Sequence, residues 1–240
     1  LHFEAIMGKS KIYVNGKLLA EHFGGYLPVV VDVTDALEFG KENLIAVWAD
    51  NSNDPNYPPG KQQEVLDFTY FGGIYRDCWL IAHNQVFITD PNYENEEAGG
   101  GLFVAYNNVS DHSAEVLLKI QIRNSGRKAF KGVVEYELQQ PDGQQVASLN
   151  SVIRIKPGKS TYSSDKLTVK SPMLWSPENP ALYNLIVRIR DEKGNPIDGY
   201  RRRIGIRSIE FKGEDGFWLN GKPYEAPLIG ANRHQDFAIV

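Results

Sequence analysis

The chain has 240 residues, of which 42% are hydrophobic and 23% charged, a composition typical of a globular protein and too apolar for a disordered one. The length allows one large domain or two of ordinary size. The net charge of −4 argues against nucleic acid as the main partner. A membrane span is also not expected, since no apolar run approaches the roughly 20 residues that a membrane helix needs. The single cysteine, Cys78, excludes an intrachain disulfide, and we expect a buried structural thiol.

Apolar and polar residues alternate with a period of two in the first third of the chain, which predicts β-strands. Asn15-Gly16 lies between two apolar runs and is a strong hairpin signal, because a type I′ turn needs positive φ at both central positions. Further strands are predicted at residues 29–33, 43–49, 77–82 and 85–89. The polar, proline-rich residues 51–60 are too long for a tight turn, so they form either a binding loop or a plain surface loop.

Residues 67–77 combine a carboxylate, four aromatic rings and a glycine pair just before a strand. Aromatic rings beside a carboxylate suit a sugar, which has apolar CH faces and polar hydroxyls. Aromatic packing in the core accounts for the same composition, and both interpretations stay open on these residues alone.

A second series of about seven short strands follows a boundary near Asn84. Alternation at this spacing, with β-branched and aromatic residues, describes an immunoglobulin-like sandwich. No helix of ordinary length is predicted; residues 35–39 make at most one turn. Residues 92–101 are predicted to be a loop, in which the glycine triplet 99–101 provides only flexibility. The predicted strands are residues 102–107, 114–123, 133–139, 151–155, 165–169, 181–190 and 200–206.

The last part of the chain, residues 207–240, is too short to form a domain. A second Asn-Gly pair, Asn220-Gly221, predicts another hairpin, and we interpret both pairs as turn chemistry without further function. An apolar run then leads into the polar cluster Asn232-Arg233-His234. This pattern is typical of a strand that emerges into an active site.

The chain has no recognisable metal or cofactor motif. None of the five histidines has a His or Cys neighbour at ligand spacing. A nucleophile elbow, a phosphate loop and a dinucleotide fingerprint are also missing from the sequence. We therefore predict no metal site and no cofactor in these 240 residues.

Four motifs, in order, resemble glycoside hydrolase family 2. The Asp-Phe-x-Tyr-x-Gly-Gly-Ile-x-Arg-Asp pattern of residues 67–77 is similar to the end of that family's sugar-binding domain. Residues 174–183, which begin Leu-Trp-Ser-Pro-Glu-Asn-Pro, resemble its immunoglobulin-like domain, and Leu219-Asn220-Gly221-Lys222-Pro223 resembles its entry into the catalytic barrel. The Asn-Arg-His cluster is similar to the end of the first barrel strand in β-galactosidases.

The resemblance implies an all-β fold with three parts. Residues 1–84 would be a jelly-roll, galactose-binding-like sandwich without its N-terminal portion, and residues 85–206 an immunoglobulin-like sandwich. Residues 207–240 would be the first hairpin and strand of a truncated TIM barrel. Asp67 would hydrogen-bond sugar hydroxyls and His234 would contact the sugar and support the transition state, with Asn232 and Arg233 beside it.

The implied function is that of the non-catalytic N-terminal portion of a retaining β-glycosidase, most like a bacterial β-galactosidase. Its partner would be a β-galactoside or a related oligosaccharide. A homo-oligomer is one of the assemblies that the resemblance allows. The catalytic glutamates of the family lie on later barrel strands, so none is expected here, and a barrel metal ion would have its ligands mostly outside this chain. A β-glucuronidase and a stand-alone carbohydrate-binding module are the alternatives. The sequence does not indicate whether the protein is periplasmic or cytoplasmic.

Overall fold

The computed structural model describes residues 1–58, 60–66, 71–97 and 99–225. It is 50% strand and 6% helix, which confirms the all-β prediction. The described residues divide into two compact units, residues 1–82 and residues 83–225. Each unit buries its own cluster of apolar side chains.

The first unit contains eight short strands arranged in three small sheets. The sheet orders are β5-β1-β8, β4-β3-β6 and the pair β2-β7. The core of this unit includes Phe3, Ile6, Ile12 and Val14, each almost fully buried. The strands are β1 (His2–Phe3), β2 (Ile6–Met7), β3 (Lys9–Val14), β4 (Lys17–Phe23), β5 (Val29–Val30), β6 (Ile45–Asp50), β7 (Gly73–Ile74) and β8 (Cys78–Trp79).

The first predicted hairpin is confirmed, because β3 and β4 pair antiparallel around the Asn15-Gly16 turn. Both turn residues have positive φ, 51° and 80°, as a type I′ turn requires. The Asn15 side chain does more than allow the turn. Its amide nitrogen donates to the Ala36 carbonyl at 2.9 Å, and its oxygen accepts the Leu44 amide at 2.9 Å.

Two predictions for this unit are wrong. Cys78 is exposed, not buried. The strand predicted at residues 77–82 is reduced to β8, which among the described residues pairs with β1 alone and is therefore an edge strand of its sheet. Sequence alternation cannot tell an edge strand from a central one, because that difference depends on which partners reach it.

The second unit is a two-sheet sandwich followed by a small sheet. One sheet has the order β10-β11-β14, with β9 also paired to β11, and the facing sheet has the order β13-β12-β15-β16. The third sheet has the order β17-β18-β19. The strands are β9 (Val86–Ile88), β10 (Leu102–Asn107), β11 (Ser113–Asn124), β12 (Phe130–Gln139), β13 (Gln145–Ile155), β14 (Lys159–Lys170), β15 (Tyr183–Asp191), β16 (Pro196–Ile204), β17 (Ile209–Phe211), β18 (Phe217–Leu219) and β19 (Lys222–Pro223).

Strict alternation produces the core of this sandwich. In β11 the residues Ala114, Val116, Leu118, Ile120 and Ile122 are all buried and face the opposite sheet. The β12 and β15 strands provide the other half of the core in the same way. This pattern is the one expected of two antiparallel sheets packed face to face.

The described part of the loop at residues 92–101 is held in place by a polar network, contrary to our expectation of simple flexibility. The Gly100 amide donates to the Tyr162 hydroxyl at 3.3 Å and the Gly101 amide to Thr89 Oγ1 at 2.9 Å. A one-turn helix, Pro91–Glu94, occupies its start. Gln121, 2% exposed, accepts from Thr89 Oγ1 at 2.6 Å and donates to the Tyr162 hydroxyl at 3.0 Å. Gly101 has φ of 56°, and a Cβ there would lie 2.9 Å from Pro91 Cδ. Its glycine is therefore needed for backbone conformation and close packing.

A charged cross-strand pair on the outer face of the sandwich makes stability depend on pH. Arg188 Nη1 donates to Glu137 Oε2 at 2.7 Å, and this bond, followed by that from Gln139, lowers the pKa of Glu137 below its ordinary value of 4.5. A depressed carboxyl pKa stabilises the fold above pH 4.5, and that contribution is lost as the pH falls through the folded-state value.

We expect the Glu137→Gln variant to lose less unfolding free energy between pH 7 and pH 3 than the wild-type chain. The difference should be at most about 1 kcal/mol, because the pair is near the surface. Urea unfolding at both pH values measures it. Arg188→Gln should flatten the profile in the same way, since it removes the donor. Parallel pH profiles for wild type and Glu137→Gln would contradict the assignment.

Candidate functional site

The four residues predicted to bind the substrate, Asp67, Asn232, Arg233 and His234, lie outside the described residues. The structure therefore does not test whether they come together. It describes the segments that flank Asp67 and the hairpin that precedes the Asn-Arg-His cluster. Glu225 and Asp236 are the carboxylates nearest the end of the chain and the alternatives to a catalytic pair on later barrel strands. Glu225 is exposed, and Asp236 lies outside the described part of the chain.

The chain after Asp67 is anchored in a sheet, and the chain before it forms a local turn. A 3₁₀ turn, Gln63–Val65, precedes it. After it, β7 pairs with β2, so that Gly73 lies opposite Met7. Gly72 packs against the Asn51 side chain, and a Cβ at position 72 would lie 2.9 Å from Asn51 Cγ. Gly72 therefore serves a close approach between two loops, whereas Gly73 has a φ of 79° and open space at its Cβ position.

The aromatic and basic residues after the glycine pair bond to the Gly25-Tyr26 turn. The Tyr75 hydroxyl donates to the Gly25 carbonyl, and burial raises the pKa of this phenol. Arg76 donates to the Tyr26 carbonyl at 3.4 Å and lies 5.2 Å from the centre of the Tyr75 ring. These contacts favour the packing interpretation for Tyr75, and they tie the end of the motif to the unit's body.

The described part of residues 51–60 is held by polar contacts. Lys9 Nζ lies 2.7 Å from Asp54 Oδ2, and this hydrogen bond holds the pKa of Asp54 below its usual range. The Ser52 amide donates to Asp50 at 2.8 Å and lowers the pKa of Asp50 in the same way. Both carboxylates are therefore ionised at neutral pH and unsuited to donate a proton. The Tyr57 hydroxyl donates to the Ser52 carbonyl at 3.1 Å.

A cavity beside this loop is too small for a sugar. Its volume is about 10 Å³, which is room for one water molecule. Met7, Asn51, Asp54 and Tyr57 are among its lining residues. The cavity therefore provides no sugar site in the part of the loop that the structure describes.

The described residues contain neither a metal cluster nor a membrane helix. Within them, no three His, Cys, Asp or Glu side chains are grouped so that they could hold a metal ion. Across the same ranges, no helix is both long and apolar enough to cross a membrane.

Two family models match the chain. The model for the sugar-binding domain of glycosyl hydrolases family 2 matches residues 1–84, and the model for glycosyl hydrolases family 2 matches residues 101–207. A β-galactosidase from Thermoanaerobacter pseudethanolicus is 32% identical over the whole chain, and a putative β-glucuronidase from Formosa agariphila is 36% identical over the whole chain. The chain spans 30% and 26% of the lengths of these two relatives.

Solved structures give the same result. A calcium-binding mutant of Bacteroides uniformis β-glucuronidase 2 superposes with a TM-score of 0.85 at 32% identity, covering all of this chain and 28% of that one. A putative β-galactosidase from Bacteroides fragilis superposes with a TM-score of 0.81 at 31% identity, covering 93% of this chain and 32% of that one. The fold, the order of the two matched models and these relatives agree: the chain belongs to glycosyl hydrolase family 2.

Proposed function

We propose that this chain is the N-terminal, non-catalytic portion of a retaining β-glycosidase that hydrolyses terminal β-D-galactosides. The proposal is carried by the order of motifs: two regions matched by family models are followed by Asn232-Arg233-His234. In the family, that order of motifs places a first barrel strand directly after the two sandwich domains. A stand-alone binding module would have no use for such a strand.

In this proposal Asp67 and His234 approach the same sugar from different parts of the protein. The Asp67 carboxylate accepts hydrogen bonds from sugar hydroxyls. His234, at the C-terminal end of a barrel strand, lies where barrel enzymes place their chemistry and supports the charge that develops in the transition state. Asn232 and Arg233 complete the sugar contacts.

The chemical step itself needs groups beyond these residues. Retaining hydrolysis uses two carboxyl groups about 5–5.5 Å apart, one as acid and base and the other as nucleophile. Later barrel strands supply both in this proposal. The present chain then contributes binding and orientation, which raise the rate by holding the sugar in a reactive geometry.

A β-glucuronidase is the second candidate, and one observation favours it. The relative with 36% identity is a putative β-glucuronidase, compared with 32% for the β-galactosidase. A galactoside and a glucuronide differ in charge at C6 and in the configuration at C4. The groups that distinguish them belong to the complete site, so the substrate has to be measured.

The test is to assay the full-length protein against aryl β-galactoside, β-glucuronide and β-mannoside, with an aryl α-galactoside as the control. We expect the β-galactoside to give the highest kcat/KM, and NMR of the first product to show the β anomer. A higher kcat/KM for the β-glucuronide would make the glucuronide the substrate and leave the proposed reaction, hydrolysis of a β-glycoside with retention, unchanged. Sugar binding without hydrolysis of any β-glycoside would favour the carbohydrate-binding module instead.

A further inference from the structure

Two of the sequence motifs meet in one hydrogen-bonded joint at the end of the sandwich. The joint consists of Trp175, Glu178, Asn220 and Tyr224. Trp175 and Glu178 follow β14 on the sandwich, and Asn220 and Tyr224 belong to the terminal hairpin of β18 and β19. The sandwich side is itself fixed, because the Trp175 amide donates to the Ile206 carbonyl at 2.8 Å.

Asn220 is the centre of the joint. Its side-chain nitrogen donates to the Trp175 carbonyl at 3.0 Å, and its side-chain oxygen accepts the Ser208 amide at 3.1 Å. Its own amide donates to the Ser208 carbonyl at 2.9 Å. Glycine could adopt the positive φ of 54° at this position but would make none of the side-chain bonds. Aspartate could accept but not donate, so only the amide satisfies both partners.

Packing around Trp175 leaves the joint little freedom. A Cβ at Gly205 would lie 2.9 Å from Trp175 Cδ1, so the strand can approach the ring only because that position is glycine. On the ring itself, the Arg207 guanidinium lies 4.8 Å from the centroid, within the range of a cation–π contact.

Tyr224 anchors the hairpin at its far end. The Tyr224 hydroxyl donates to Glu178 Oε1 at 2.8 Å, and its amide donates to the Phe217 carbonyl at 2.9 Å. The rings of Tyr224 and Phe217 meet edge to face with centroids 5.7 Å apart. The chain is thus attached to the sandwich ten residues before His234.

We propose that Asn220 and Tyr224 are positioning residues, which fix on the sandwich the point from which the chain continues to Asn232-Arg233-His234. The inference rests on the proposed function, because it assigns the purpose of the joint to that sugar site. Catalytic groups have to be held within about 0.5 Å of their working positions by supporting contacts. Releasing the joint should therefore lower activity by roughly tenfold, within the range that a misplacement of about 1 Å can cost.

The chain offers a matched control in its other Asn-Gly turn. Asn15 also has positive φ, and its amide and side-chain oxygen exchange hydrogen bonds with Leu44 just as those of Asn220 do with Ser208. Asn15→Gly therefore removes three side-chain hydrogen bonds and Asn220→Gly removes two, while each variant keeps its turn. Asn15 belongs to the first unit, and the terminal hairpin belongs to the second.

The experiment compares kcat, KM and melting temperature of the full-length wild type with both variants. We expect both variants to lose similar stability, about 2–4 °C in Tm for each kcal/mol. Only Asn220→Gly should lose kcat/KM, by about tenfold and mainly in kcat, since His234 is assigned to the transition state. Tyr224→Phe and Glu178→Ala should act in the same direction, and Glu178→Gln, which keeps an acceptor, should recover most of the activity.

Hydrogen exchange of residues 226–234 provides a readout that does not need turnover. Asn220→Gly should speed exchange there and Asn15→Gly should not. Equal kcat/KM in the two glycine variants, or unchanged exchange in Asn220→Gly, would overturn the inference. A wild-type protein that hydrolyses no β-glycoside would instead reject the proposed function, and the exchange data would still decide whether the joint holds this segment.

Discussion

Purified by itself, the 240-residue chain is expected to release no aglycone from any aryl β-glycoside above the buffer rate. Retaining hydrolysis requires a pair of carboxyl groups, and in our proposal both belong to barrel strands beyond these 240 residues. Glycosidic bonds are stable in water, and enzymes accelerate reactions by about 10⁶-fold or more. The turnover rates of the full-length protein and of the isolated chain should therefore differ by about 10⁶-fold or more.

The measurement is a side-by-side assay of the two proteins at equal molar concentration. Glu225→Gln in the isolated chain is the control, because Glu225 is the last carboxylate that the structure describes. Activity that persists through repeated purification and disappears in Glu225→Gln would show that the catalytic group had been misplaced. Activity unchanged by that substitution would point to a contaminating enzyme.

The second unit was well predicted because its alternation is long and regular. The strand predicted at residues 114–123 is observed as Ser113–Asn124, and residues 102–107 match Leu102–Asn107. Both sheets are antiparallel and bury one face, so the period of two carries nearly all the information about which side chains enter the core.

The first unit was predicted less well, since its sheets have only two or three strands. Residues 29–33 were predicted as one strand, but the observed strand is Val29–Val30, with Val31 still hydrogen-bonded to Leu1. The β-propensity of a segment does not determine how many of its residues pair with a neighbouring strand. One continuous apolar pattern can therefore be divided between paired and unpaired residues. Burial of Cys78 was wrong for the same reason.

The side-chain role of the Asn-Gly turns could not be predicted at all. The turn conformation is local and follows from the pair itself, whereas Asn220 bonds to Trp175, 45 residues earlier in the chain. Both motifs can be identified in the sequence, but nothing in it indicates that their residues form a hydrogen bond. The predicted sugar contacts are a different case, since they rest on resemblance and lie outside the described residues.

In the full-length protein, the Asp67→Asn substitution should lower kcat/KM by roughly 10- to 200-fold with little change in Tm. A charge-assisted hydrogen bond to a sugar hydroxyl contributes about 1.5–3 kcal/mol, and each 1.4 kcal/mol is a factor of ten. Asparagine keeps the shape and removes the charge. Because β7 anchors the chain that follows this position, we expect the fold to tolerate the change.

Asp54→Asn is the matched control, because it removes one negative charge from the same unit at a carboxylate that is held by Lys9. That variant should keep kcat/KM within about twofold of wild type, because a surface ion pair contributes little to stability and Asp54 is not one of the predicted sugar contacts. The opposite result for Asp67→Asn, a Tm several degrees lower with kcat/KM near wild type, would make Asp67 structural, with its charge balanced inside the fold. In that case the sugar would be bound by the barrel residues alone, and the role assigned to Asp67 by resemblance would fail.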